Sequence, residues 1–96
     1  MHGPKNREVA AMECDELFNR ALATDAKEEL NAVNATLDVQ LSTAPETGPQ
    51  VARTCAVKAF VLGKLGLRTE ALKFWKRARQ AAPDVAEFWS TNNLLA

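Results

Sequence analysis

The stretch "LGLRTEALKFWKRARQAAPD", residues 65–84, contains the signals that decide the fold. Gly66 suits the left-handed conformation that ends many helices, and Pro83 stops a helix because it lacks a backbone N–H. Between them, "TEALKFWKRARQAA" combines good helix formers with an apolar pattern of helical period. The stretch therefore predicts a turn, a helix and a stop.

The sequence on both sides predicts four more helices. Helical spacing of apolar residues indicates helices over about residues 5–23, 26–42 and 49–65, of which the third should be the most buried. Thr24 and Asp25 are N-cap types for the second helix, and "STAPETGP", residues 42–49, predicts a loop. Asp84 is predicted to cap a fifth helix within residues 85–96. About five helices with short connections predict an all-α stack of antiparallel hairpins.

Length and composition favour one folded domain over residues 1–96, since 47% of the 96 residues are apolar and 25% are charged. No apolar run approaches the roughly 20 residues of a membrane span, and the start has no signal-peptide core. Cys14 and Cys55 are expected to be reduced and packed, while a disulfide between them stays open. We therefore expect a chain without a membrane span in a reducing, cytoplasmic compartment.

Residues 52–85 resemble one repeat of the tetratricopeptide repeat (TPR) family. In that pattern, small residues let two antiparallel helices approach closely, and one large ring fills the space beside them. The resemblance implies a short right-handed superhelix of stacked hairpins. Cys55, Lys58 and Leu62 depart from the pattern, since they stand where Trp, Leu and Tyr are usual. The matching residues are Ala59, Leu65, Gly66, Ala71, Trp75, Ala78 and Pro83.

Weaker matches extend the resemblance to both sides of this repeat. A frame shifted by 38 residues aligns Pro45 with Pro83 and Leu37 with Trp75. Residues 5–45 are therefore interpreted as a degenerate helical hairpin. Trp89 follows Cys55 by one repeat length, so residues 86–96 are interpreted as a capping helix or the start of a further repeat.

The sequence lacks the motifs that catalysis and cofactor binding usually require. The single histidine, His2, lies near the chain start, and no glycine-rich phosphate-binding motif is present. With two separated cysteines, no CxxC motif and only His2 as a histidine ligand, no metal centre is expected. We predict a protein that is not an enzyme, with no catalytic residues, metal or cofactor.

Charge is unevenly distributed along the chain. Residues 1–50 hold nine acidic and four basic side chains, whereas residues 51–80 hold one acidic and eight basic ones. We interpret the cations of the fourth helix as a solvated outer face, with an acidic protein or a second copy as the alternative partner. Nucleic-acid binding is the least favoured interpretation. This basic patch consists of Lys73, Lys76, Arg77 and Arg79.

The TPR resemblance also implies where a partner would bind. In such stacks the first helix of each hairpin lines a concave surface that accepts a peptide or a helix of another protein. The expected function is a non-enzymatic interaction module or adaptor, and a self-assembling structural subunit is the alternative. For Phe60, a core position competes with a surface one. The residues expected to line this surface are Asp15, Phe18, Leu22, Arg53, Ala56, Phe60, Gly63, Lys64, Glu87, Ser90 and Leu94.

Overall fold

The computed structural model describes residues 14–43 and 47–91, and the side chains of residues 14–43 and 47–87. These ranges hold five helices and no strand, which confirms the all-α prediction for the described chain. None of the described helices is long and apolar enough to cross a membrane. The helices are α1, described over 14–23, α2 (Lys27–Thr43), α3 (Pro49–Lys64), α4 (Arg68–Ala81) and α5 (Pro83–Thr91).

Helix α2 begins after a short turn and packs through a narrow apolar seam. The Thr24 hydroxyl accepts a hydrogen bond from the Ala26 N–H at 3.1 Å, which satisfies one donor ahead of the helix. Leu30, Val33 and Leu37 are each no more than 1% exposed, as their spacing predicts. The acidic first turn, with Glu28 and Glu29 in it, suits the positive end of the helix dipole.

Helix α3 is the centre of the molecule. Ten of its sixteen residues are buried, which confirms that the third helix is the most enclosed. It packs against α2, α4 and α5, and its Phe60 ring contacts Phe18 of α1. Two of its buried residues are polar, Thr54 and Lys58, and both have hydrogen-bond partners within the chain.

The turn between α3 and α4 has the geometry that its glycine predicts. Gly66 has φ of +83°, and its N–H donates to the Gly63 carbonyl at 3.1 Å. The Leu67 N–H donates to the Leu62 carbonyl at 2.9 Å, so both hydrogen bonds of a Schellman motif are present. At the other end, the Gly48 N–H donates to the Ala81 carbonyl at 3.1 Å. Since the start of α3 meets the end of α4, the two helices are antiparallel.

Helices α1 and α3 run parallel to each other. Cys14 lies beside Thr54, and Phe18 contacts Phe60. One turn further along both helices, the Lys64 ammonium group donates to the Ala21 carbonyl at 2.8 Å. These contacts advance in the same direction on both helices, so α1 and α3 present one shared face over about two turns.

Helix α5 begins earlier than the sequence predicts. The Ala86 N–H donates to the Ala82 carbonyl at 3.1 Å, which makes Ala82 the N-cap and Pro83 the first helical residue. The prediction that Asp84 caps this helix is therefore wrong, because the fixed φ of Pro83 already suits the first helical position. Asp84 lies in the first turn, where its negative charge interacts favourably with the positive end of the helix dipole. The predicted helical segments 5–13 and 92–96 lie outside the described residues.

Candidate functional site

Two helix faces form an apolar patch that is partly open to solvent. Phe18 and Leu22 are one turn apart on α1 and therefore share a face. The rings of Phe18 and Phe60 are 5.1 Å apart between centroids and meet edge to face at 65°. Both rings are half-buried, and Leu22 is 52% exposed. We call this surface the α1–α3 face, and it consists of Asp15, Phe18, Leu22, Arg53 and Phe60.

One end of the α1–α3 face is polar. Asp15 lies one turn before Phe18 on α1 and is exposed. Arg53 is half-buried and donates to the Gln50 side-chain oxygen at 3.4 Å. Both charges act on the Cys14 thiol, which places Asp15 and Arg53 at the same end of the two parallel helices. The face thus joins an apolar floor to an acidic and a basic side chain.

Lys64 has partners within the chain, although it was expected to meet a ligand. Its ammonium group donates to the carbonyls of Ala21 at 2.8 Å and Thr24 at 2.6 Å. It also pairs with the Asp25 carboxylate at 3.2 Å and lies 5.7 Å from the Phe60 ring centroid. These carbonyls are at the end of α1, where a cation offsets the negative end of the helix dipole. Lys64 therefore caps α1.

The structure separates the remaining residues of the predicted surface. Ala56 is completely buried in the main core, so the prediction that it lines a binding surface is wrong. Its burial follows from the close packing of α3 among its neighbours, which encloses even the small side chains. Gly63 and Glu87 are exposed, and Glu87 lines a groove between α4 and α5. Leu94 and the Ser90 side chain lie outside the described residues.

A groove lies between α4 and α5 that was not predicted from the sequence. Its volume is about 810 Å³, and it is open on one side. The signal in the sequence was the placement of Trp75 just before two cations and about two turns before the helix stop at Pro83. The groove is lined by Trp75, Lys76, Arg79, Gln80, Pro83, Ala86 and Glu87. We call it the α4–α5 groove.

The predicted basic patch is exposed, but its four cations do not act on one surface. Lys73 pairs with Glu70 one turn earlier at 3.2 Å. Lys76 and Arg79 line the α4–α5 groove. Arg77 lines a separate cavity of about 430 Å³ together with Thr47. The cations of α4 therefore divide between at least two surfaces.

Lys58 is a buried cation that joins three helices. Its side chain is 5% exposed, and its ammonium group pairs with Asp38 of α2 at 2.6 Å. It also donates to the Asn34 side-chain oxygen and lies 4.8 Å from the centroid of the Phe74 ring of α4. The sequence signalled this network only through the departure of Lys58 from the TPR pattern. Its acidic partner, Asp38, is twenty residues earlier in the chain, so local spacing did not reveal the pair.

Both cysteines are free and buried. Burial raises the pKa of the Cys14 thiol to about 12, although the neighbouring Thr54 side chain and the charge of Arg53 act in the opposite direction. Burial also raises the pKa of the Cys55 thiol, against the effect of Arg77. Both thiols therefore stay protonated at neutral pH and are poor nucleophiles.

Comparison of this chain with protein-family models, with curated proteins and with solved structures finds no match.

Proposed function

We propose that this chain is a non-enzymatic, TPR-like interaction module that binds a helix or an extended peptide of another protein on the α1–α3 face. The observation that carries this proposal is the open apolar patch of Phe18, Leu22 and Phe60. Grouped apolar side chains with a polar margin are typical of protein-binding surfaces.

The packing of the helices supports the TPR-like part of the proposal. α1 and α3 are parallel first helices of two hairpins, and α3 packs on α4 and α5, as in a stack of repeats. Among the described residues, α2 and α4 do not pack against each other. A right-handed superhelix places second helices of successive hairpins on its outer side, which leaves the first helices to line the inner surface.

The chemistry of the α1–α3 face favours an amphipathic ligand. The apolar floor suits side chains that recur at one helical turn, or alternate side chains of an extended peptide. The carboxylate of Asp15 and the guanidinium of Arg53 at one end favour a ligand with a polar or charged group at the matching end. That pairing would fix the direction in which the ligand lies along the face. Such a ligand would cover Leu22, which is 52% exposed.

Nucleic acid is a weaker candidate for the basic residues of α4. A nucleic-acid surface needs several cations that follow one phosphate backbone. Here Lys73 pairs with Glu70, and Arg77 lies on a different cavity from Lys76 and Arg79. We therefore propose a protein ligand.

A displayed peptide library provides the test. Peptides selected on the wild-type chain should bind Leu22→Glu at least tenfold more weakly, because a carboxylate would enter the apolar patch. Val39→Glu is the matched control, since Val39 is 67% exposed on α2 and lies outside the α1–α3 face. Equal binding to both variants, with helical content unchanged by circular dichroism, would refute the proposal.

A further inference from the structure

We infer that the α4–α5 groove holds helix α2 of a second copy of this chain. The groove is separate from the α1–α3 face, so this inference goes beyond the proposed function. It would join copies through two different surfaces of the same molecule.

The floor of the α4–α5 groove is apolar and continues beyond the cavity itself. Trp75 is half-buried, and Ala86 is buried behind it. Leu72 is 58% exposed and lies one helical turn before Lys76, so it extends the same face of α4. An exposed leucine beside a half-buried tryptophan gives this face an apolar area that water contacts in the isolated chain.

The rim of the groove carries two cations, Lys76 and Arg79, and one carboxylate, that of Glu87. Lys76 and Arg79 are exposed, and in the described part of the chain neither forms an ion pair. In contrast, Lys58 and Lys64 already pair with carboxylates of the acidic half. Other exposed cations also lack an ion pair in the described ranges, such as Arg20 on α1 and Lys27 on α2. Lys76 and Arg79 differ from them because they border an apolar groove, which favours a ligand that is both apolar and acidic.

Helix α2 has an outer face that matches this groove. Glu28, Ala32, Ala35 and Val39 are spaced by four, three and four residues, so they form one stripe. All four are exposed, and Val39 is 67% exposed. Glu29 adds a second carboxylate beside Glu28 at the start of the helix. The stripe is thus apolar along its length and acidic at one end.

The two surfaces carry opposite charges, and the side chains of the α2 stripe are small enough for close approach to the groove. Small alanine side chains let a helix approach a tryptophan ring closely, and Val39 can cover apolar surface near Leu72. The carboxylates of Glu28 and Glu29 can meet Lys76 and Arg79. Because Leu30, Val33 and Leu37 face the core on the opposite side of α2, docking would leave the fold of each copy unchanged.

Contact between two different surfaces has a consequence for assembly. A row of associated copies keeps an unused α2 stripe at one end and an unused groove at the other, so the association is head to tail and open-ended. Average mass should therefore rise continuously with protein concentration. High salt should reduce it, because the rim contacts are charge pairs at the surface.

Light scattering coupled to size-exclusion chromatography tests the inference. The wild-type chain should grow in average mass with concentration at low salt, whereas Arg79→Glu should stay monomeric. Arg77→Glu is the matched control, since it makes the same charge change on α4 outside the groove, and it should associate like the wild type. A wild-type chain that is monomeric at low salt at every concentration would overturn the inference.

Complementation makes the test specific for the two surfaces. Arg79→Glu retains an intact α2 stripe, and the double variant Glu28→Lys, Val39→Glu retains an intact groove. Each variant alone should be monomeric, and an equimolar mixture should form a dimer and nothing larger. A mixture that stays monomeric would refute the docking of α2 in the groove.

The same experiment separates this inference from the proposed function. Leu22→Glu changes the α1–α3 face alone, so it should leave self-association intact while it weakens peptide binding. If Leu22→Glu abolished association, copies would join through the α1–α3 face and the inference would be wrong.

Discussion

At the residue scale, Lys58 shows how one polar residue can be accommodated in an apolar helix. A buried cation is costly unless its charge is paired and its donors are satisfied. Asp38 and Asn34 supply acceptors, and the Phe74 ring covers the remaining side. The carboxylate of Asp38 is 57% exposed, so the pair connects the core to solvent at one end. Removing Asp38 and removing Lys58 should therefore change the free energy of unfolding by different amounts.

Removing Asp38 should destabilise the chain more than removing Lys58. Asp38→Ala leaves a buried cation with weaker partners, and we expect it to cost about 2 kcal/mol. Lys58→Met places an apolar side chain in the apolar site and returns Asp38 to water, so the change should stay within about 1 kcal/mol. Urea unfolding followed by circular dichroism measures both. A larger loss for Lys58→Met than for Asp38→Ala would contradict the assignment.

The two buried thiols give the chain a dependence on alkaline pH. The pKa of Cys14 rises from 9.0 to about 12 on folding, so this contribution to stability is fully present below pH 9. Above pH 9 the thiol ionises in the unfolded chain first, and the free energy of unfolding falls towards pH 12. Unfolding curves from pH 8 to 11 should therefore slope more steeply for the wild type than for Cys14→Ala, Cys55→Ala. Parallel curves would show that the thiols ionise alike in both states.

At the element scale, the helices and most of their ends could be predicted, because residues close together in the sequence determine them. The ends of α3 and α4 follow from Gly66 and Pro83, and the seam of α2 follows from the spacing of Leu30, Val33 and Leu37. The start of α5 was misplaced by two residues because Pro83 served as a stop signal and also began the next helix. Local sequence signals thus predict which segments are helical, whereas the first and last residues of a helix depend on the hydrogen bonds that form there.

The two glycines at the end of α3 should respond oppositely to alanine. Gly66 has a positive φ, so Gly66→Ala should cost about 1 kcal/mol although no atom lies within 4 Å of the added carbon. Gly63 is helical and equally uncrowded, so Gly63→Ala should stabilise the chain by about 0.5 to 1 kcal/mol. Thermal unfolding of the two variants measures this difference. A loss of stability in Gly63→Ala would mean that α3 ends before that residue.

Lys64 should stabilise α1 in preference to the rest of the molecule. Lys64→Met removes the donor to two carbonyls at the end of α1, and we expect a loss of about 1 to 2 kcal/mol. Lys73→Met, which breaks an exposed pair within one helix, should change stability by less than about 0.5 kcal/mol. Hydrogen exchange should quicken selectively in α1 for Lys64→Met. Uniform quickening across all helices would argue against a capping role.

At the scale of the whole molecule, contacts between residues far apart in the chain could not be predicted from the sequence. Lys64 and Ala21 are 43 positions apart, and no local pattern predicts that one caps the helix of the other. The uneven charge along the chain was attributed to outer faces or to partners. The structure shows that part of it is used internally, where Asp38 meets Lys58 and Asp25 meets Lys64. Tertiary packing decides which charges remain available to other molecules.

The candidate surfaces were predicted only in part for the same reason. Phe18, Leu22 and Phe60 were expected on one surface, and the structure brings Phe18 and Phe60 into contact. The α4–α5 groove was not predicted, since it depends on the angle at which α5 leaves α4 after Ala82. Sequence spacing places residues on a helix face, but the space between two helices depends on how they pack.

The central claim is that the α1–α3 face binds a helix or peptide of another protein. Amide chemical-shift mapping of the labelled chain, titrated with a peptide selected on it, tests this claim most directly. We predict that the largest shifts fall in α1 and α3 around Phe18, Leu22 and Phe60, and that they disappear in Leu22→Glu. Shifts confined to α4 and α5, or unchanged in Leu22→Glu, would contradict the claim.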